Sequence, residues 1–190
     1  GEIRAGGSIT GPITVGDDMT GVIRTQAGRI NTEIAVGGDI LGGQVLSALE
    51  LAGEVHVGGD MAGATVTSGF DISAEITVGD DMTNSLISAG TSLTGDVHIG
   101  GPMTSSTITA TSVLAGEITV GGGLHSSSSL TSLVIASMIS LGGTVSLDAS
   151  SQISSVTSIY GDMVMTGSLA GTVAAQSGEI DATISVGGDM

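Results

Sequence analysis

The chain has no cysteine, no lysine and no tryptophan, and only two prolines, Pro12 and Pro102. Without cysteine there is neither a disulfide framework nor a thiolate metal site. Phe70 and Tyr160 are the only aromatic residues, so a core that draws its buried area from large rings is excluded. Positive charge is confined to Arg4, Arg24 and Arg29 against 19 Asp and Glu, a formal net charge of −16. Nucleic-acid binding by phosphate neutralisation is thereby excluded, as is attraction to an anionic membrane surface. The most apolar stretch, Leu130 to Leu141, is broken by Ser and Thr and is too short to span a bilayer. No charged n-region with an apolar h-region follows Gly1, and a start on Gly suggests a processed product or a fragment. The expectation is a soluble protein, with no membrane insertion, whose partners are cations, neutral glycans or other copies of itself.

What is present is glycine, at 33 of 190 residues, and a repeat. Val55–Met61 reads V-H-V-G-G-D-M, and related heptads start at Ile13, Ile34, Ile76, Val97, Ile118 and Ile139, each 21 residues after the one before. A last copy, Ile184–Met190, closes the sequence. A fixed period of this length means a solenoid in which each repeat packs on its neighbours.

With Ile13 as column 1, columns 1 and 3 are β-branched or aliphatic and column 2 holds Thr14, Ala35, His56, Thr77, His98, Thr119 and Ser140. Apolar, polar, apolar is strand alternation with one buried face. Column 18 (Ile9, Ile30, Leu51, Ile72, Leu93, Leu114, Ile135) repeats the inward character, and column 20 is mostly Gly or Ala, small residues for an inward corner. This predicts a strand running from column 18 to column 3, straight or bent near column 20. Columns 4 and 5, Gly-Gly or Gly-Asp, are read as a turn using glycine's positive φ. Column 7 returns inward with Met19, Ile40, Met61, Met82, Met103 and Leu124, and column 12 with Ile3, Val45, Val66, Ile87 and Ile108. The second coil drifts there to Val22 and Ile23.

Glycine density and Thr, Val and Ile content oppose helix. The expected fold is all-β: a right-handed parallel β-helix, a three-sided β-solenoid with 21-residue coils. About nine coils at ~4.8 Å each make a rod about 43 Å long. Residues 1–190 form one domain, with regular coils over 1–145, irregular coils over 146–183 and the final motif at 184–190. In the irregular part, Ile159–Met163 is read as the turn motif arriving 18 residues late, which predicts one short and one long coil.

Two acidic columns are candidate sites: column 6 with Asp18, Asp39, Asp60 and Asp81, and column 21 with Glu33, Glu54, Glu75, Asp96 and Glu117. Stacked at strand spacing, like charges repel by roughly 3 kcal/mol per neighbouring pair, less under solvent screening. Ca²⁺ between rungs would relieve this with carboxylate and carbonyl oxygens; a solvated acidic surface that limits lateral aggregation is the plainer reading. His56 and His98 stand two coils apart, short of the three or four convergent ligands zinc needs. The T-x-T pairs Thr65/Thr67 and Thr107/Thr109 are too interrupted for an ice-binding array, and no catalytic motif stands out.

The repeated V-G-G-D-M with flanking G-x-I resembles the large secreted β-helix repeat proteins of bacteria, adhesin- or fibre-like. A second, looser similarity is to bactofilins, β-helices that polymerise end to end. The Gly-Gly-Asp turn is distantly similar to the Ca²⁺-binding nonapeptide repeats. These resemblances imply an extracellular or cell-surface structural role. The leading expectation is head-to-tail stacking into a filament, or a place in one longer surface fibre. Its contact residues would be Glu2, Ile3, Arg4 and Ile9 at one end and Ile184, Val186, Asp189 and Met190 at the other. The arginines near one end face Glu179, Asp181 and Asp189 at the other. A Ca²⁺-stabilised adhesin or glycan-binding module is the alternative, and a polysaccharide-active enzyme a distant third.

Overall fold

The computed structural model describes residues 1–190 and contains no helix. It is a three-sided β-solenoid of about nine turns, its three sheets built entirely from parallel pairings between successive coils. The first face stacks nine strands of three residues, from Ile13–Val15 through Val55–Val57 to Met163–Met165 and Ile184–Val186. The second face begins at Glu2–Ala5 and Val22–Thr25 and runs to Thr172–Ala175. The third, of short strands such as Ile40–Leu41 and Met61–Ala62, carries column 7.

Alternation along each short strand sends one set of side chains into a thin interior. Ile34, Val36, Val55, Val57, Ile76, Met61, Val66 and Leu93 all have zero exposure, and 39 buried hydrophobic residues form one continuous column. Aliphatics of similar size stack on one another from rung to rung, which fills a narrow core without rings.

Three details differ from the sequence reading, and the drift in the second coil is accounted for. Column 18 does not lead into columns 1–3. Its residues stack as Ile9, Ile30, Leu51, Ile72 and Leu93, outside any continuous strand to column 3. At Val113–Leu114 and Ser129–Ile135 that stack joins the second face. The corner at columns 19–21 separates it from the first face: in the coil of Leu51, Ala52 and Gly53 both donate their N–H to the Ile30 carbonyl (2.9 and 3.2 Å).

Among the glycines of columns 4 and 5, only Gly143 (φ 80°), in the coil that starts at Ile139, uses positive φ. The left-handed backbone lies instead at column 9, in Gly42 (φ 67°), Gly63 (63°), Asn84 (50°), Ser105 (52°) and Ser126 (52°). Column 4 needs glycine for a different reason. A Cβ on Gly37, Gly58, Gly79, Gly100 or Gly121 would run into the carbonyl oxygen of the column-4 residue one rung back.

The drift at Val22 and Ile23 is absorbed within the coil. Ile3 pairs with Ile23 and Ile23 with Val45, offsets of 20 and 22 that sum to two regular coils. Ile23 is the inward residue there, 2% exposed.

The late coils divide differently from the expected short-then-long order. Met163 occupies column 1, pairing with Ile139 on one side and Ile184 on the other. The spacings are therefore 24 and 21, one long coil followed by a regular one. Gly161-Asp162-Met163 imitates the turn motif but sits at columns 20, 21 and 1.

Candidate functional site: side-chain ladders and end rungs

Corners interrupt the sheets, so corner N–H groups need acceptors from elsewhere. Column 6 supplies them. Asp18 Oδ1 accepts the N–H of Asp39 at 2.9 Å, Asp39 that of Asp60 at 2.8 Å, and Asp60 that of Asp81 at 2.9 Å. The glycine of column 5 is part of the same arrangement. A Cβ on Gly38, Gly59 or Gly101 would collide with the carboxylate of Asp18, Asp39 or Asp81 respectively. The Gly-Gly-Asp motif thus places one carboxylate per rung against the next rung's backbone.

The series stops at Asp81, because the next rung offers Pro102, which has no N–H. Burial raises the Asp81 pKa above the usual carboxylate value, with the negative charges of Asp60 and Asp80 adding to the rise.

In column 21 it is the aspartates that make this bond. Glu117 donates its N–H to Asp96 Oδ1 at 2.8 Å, and Thr183 donates to Asp162 Oδ1 at 2.9 Å. Glu33, Glu54 and Glu75 extend to solvent on the same edge. His98 stands 3.9 Å from Glu75, and His56 lies a rung-pair away on the first face. No group of three or more His, Cys, Asp or Glu gathers in a way that could hold a metal ion. The two candidate ladders are columns of single carboxylates, and those of Asp18, Asp39, Asp60 and Asp96 each take a backbone N–H.

A second ladder was missed in the sequence. Ser85, Ser106, Ser128 and Ser151 stack inside the corner after the third face. The hydroxyl of each accepts an N–H from the rung before: Ala64 to Ser85 (2.9 Å), Ser85 to Ser106 (3.1 Å), Ser106 to Ser128 (3.2 Å) and Ser128 to Ser151 (3.1 Å). The only signal was small polar residues at spacings of 21, 22 and 23.

Asp148 anchors the turn of the long coil. Burial raises its pKa, but the backbone N–H of Ser126, the hydroxyls of Ser151 and Ser150 and the backbone N–H of Ser150 outweigh this and bring it down to about 2.

These bonds predict different outcomes for two changes at Asp60. Asp60→Asn keeps an acceptor for the Asp81 N–H and removes a charge, so stability holds and the Asp81 pKa falls toward its ordinary range. Asp60→Ala strands the N–H and costs about 1 kcal/mol. Urea melts and carboxyl NMR titration check both. Equal stability for the two variants would remove the structural role of the ladder.

The end rungs each have one sheet edge paired and one open. Glu2–Ala5 pairs only with Val22–Thr25, and Ile184–Val186 only with Met163–Met165. Ile3 is 45% exposed, Ile184 36% and Met190 93%, while Ile9 is half-buried over Ile30. A groove of about 410 Å³ lies at the first rung, between Glu2, Ile3, Asp18, Met19 and Val22. The expected charge contrast between the ends is weaker than it reads. Arg24 is paired with Glu2 (2.6 Å) and Arg29 with Glu50 (3.0 Å), leaving Arg4 as the one arginine without an ion pair. Val186 is half-buried and Asp189 exposed, its carbonyl accepting the Leu169 N–H at 2.9 Å.

No helix of the structure is long and apolar enough to cross a membrane. Compared with family models, with curated proteins and with solved structures, the chain matches none.

Proposed function

We propose that this chain is a structural element, a β-solenoid that stacks head to tail into a filament or surface fibre outside the cell. One observation carries the reading: the open edges of the two end rungs match each other strand for strand. On the last rung, Thr172–Ala175, Ile180 and Ile184–Val186 present open edges. On the first, Glu2–Ala5, Ile9 and Ile13–Val15 present the same three elements in the same order and with the same lengths. A rung placed there completes the burial of Ile13, Val15, Val173, Ala175 and Val186, which are only partly covered. It also pairs strand edges that otherwise stand open. A contact between unlike faces of identical units does not close, and so it propagates.

Sedimentation velocity and negative-stain electron microscopy across concentration, with Ca²⁺ and with chelator, test this. Uniform fibres a few nanometres wide are expected, and Val186→Asp together with Ile13→Asp should return them to single rods. Discrete short rods at every concentration would sink the proposal. Loss of fibres in chelator alone would show that a cation, bound at the carboxylates of the contact, joins the rungs.

A further inference from the structure

The regular rungs carry carboxylates on their outer columns, but the second face around the long coil does not. There a groove of about 320 Å³ opens across successive rungs, and none of its lining residues is charged. Thr109, Thr131 and Ser154 stand on three adjacent rungs of its wall, and Gln152 and Gln176 border it. The hydroxyls of Thr131 and Thr109 are 3.0 Å apart. Two aliphatic side chains lie exposed in it, Leu133 (40%) and Val156 (48%).

The groove arises at a break in the repeat. Ser132 pairs with Ser155 but Val134 with Ser158, so Val156 and Thr157 together oppose Leu133 in a β-bulge. A bulge re-aims side chains and opens the sheet locally. The bulge leaves Gln152, Ser154 and Val156 facing outward into the groove, while Ile153 and Ser155 alternate into the interior.

We infer that this groove binds an uncharged glycan, lying along the rod. Hydroxyl and carboxamide groups each offer both donors and acceptors, as sugar hydroxyls require. The exposed aliphatics fit the C–H face of a sugar ring. A chain of net charge −16 disfavours uronic-acid or sulfated polymers over neutral ones. The volume falls within the range of small-ligand sites. The inference is independent of filament formation.

The test is NMR titration of the ¹⁵N-labelled 190-residue chain with cellohexaose, maltohexaose and laminarihexaose, and with hexagalacturonate as the charged comparison. At least one neutral hexasaccharide should shift amides confined to 109–111, 131–133, 152–156 and 176, saturably. Gln176→Ala, at an exposed position that leaves the fold intact, should weaken that binding about tenfold, the loss of one or two hydrogen bonds. Thr131→Asp should abolish it. The inference is overturned if no neutral hexasaccharide shifts these amides, if shifts scatter over other faces, or if hexagalacturonate binds equally well.

Discussion

Gly100→Ala should destabilise the protein by about 3 kcal/mol, although it adds a single methyl group on a solvent-facing corner. The backbone φ at Gly100 is not in the left-handed region, so conformational freedom is not the cause. The new Cβ would press on the carbonyl oxygen of Gly79, which belongs to backbone and cannot rotate aside. Relief requires the two rungs to separate, and their separation is fixed by the strand bonds on the adjoining first face, Val97–Ile99 on Ile76–Val78. The contrast is Gly42→Ala. Gly42 has φ 67° with nothing within 4 Å of a Cβ, so an alanine there suffers only the left-handed strain, about 1 kcal/mol. Urea denaturation of both variants gives the comparison. Similar midpoints for the two would show that close approach does not govern column 4. Thr166, the one non-glycine of this column before Gly187, follows the residues inserted in the long coil.

Ser106→Ala should cost about 2 kcal/mol through one buried hydrogen-bond donor. Ser106 is 1% exposed. Its hydroxyl accepts the Ser85 N–H at 3.1 Å and is directed at the carbonyls of Met82 (3.0 Å) and Thr104 (2.9 Å). Alanine leaves the Ser85 N–H without an acceptor in a residue only 5% exposed. Ser129→Ala is the control: its hydroxyl meets only that of Thr107, at 3.1 Å, in a half-buried position, so less than about 0.5 kcal/mol is expected. Amide hydrogen exchange adds a local readout, with Ser85 losing protection in Ser106→Ala. Unchanged exchange at Ser85 would mean that the serine column fills space and does not bond the rungs.

The inward columns were readable because water sorts them. Ile34, Val36, Met61 and Leu93 recur at fixed intervals and are all buried. The bonds between rungs were not readable, since each joins residues 21 or more apart whose types admit many other uses. A column of aspartate reads as repulsion until the partner N–H is in place, and Ser85 to Ser151 reads as loop composition. The long coil misled because Gly161-Asp162-Met163 copies three letters of the turn motif while pairing fixes it elsewhere. The groove beside Leu133 and Val156 was invisible for the same reason: it depends on a bulge, and a bulge is a property of two strands.

The near-identity of the rungs leaves the chain several ways to pair with itself. Sliding one stretch of coils past its neighbour by a whole turn still sets Ile on Val in the interior and Asp on Asp at the corner, so most of the native energy survives the error. What such a slip cannot preserve is the coil from Ile139 to Asp162, three residues longer than the rest, with its bulge and the Asp148 turn fitted to Ser126. That coil acts as a key in a lock of otherwise interchangeable pins: it fits in one position and so gives the stack a unique alignment.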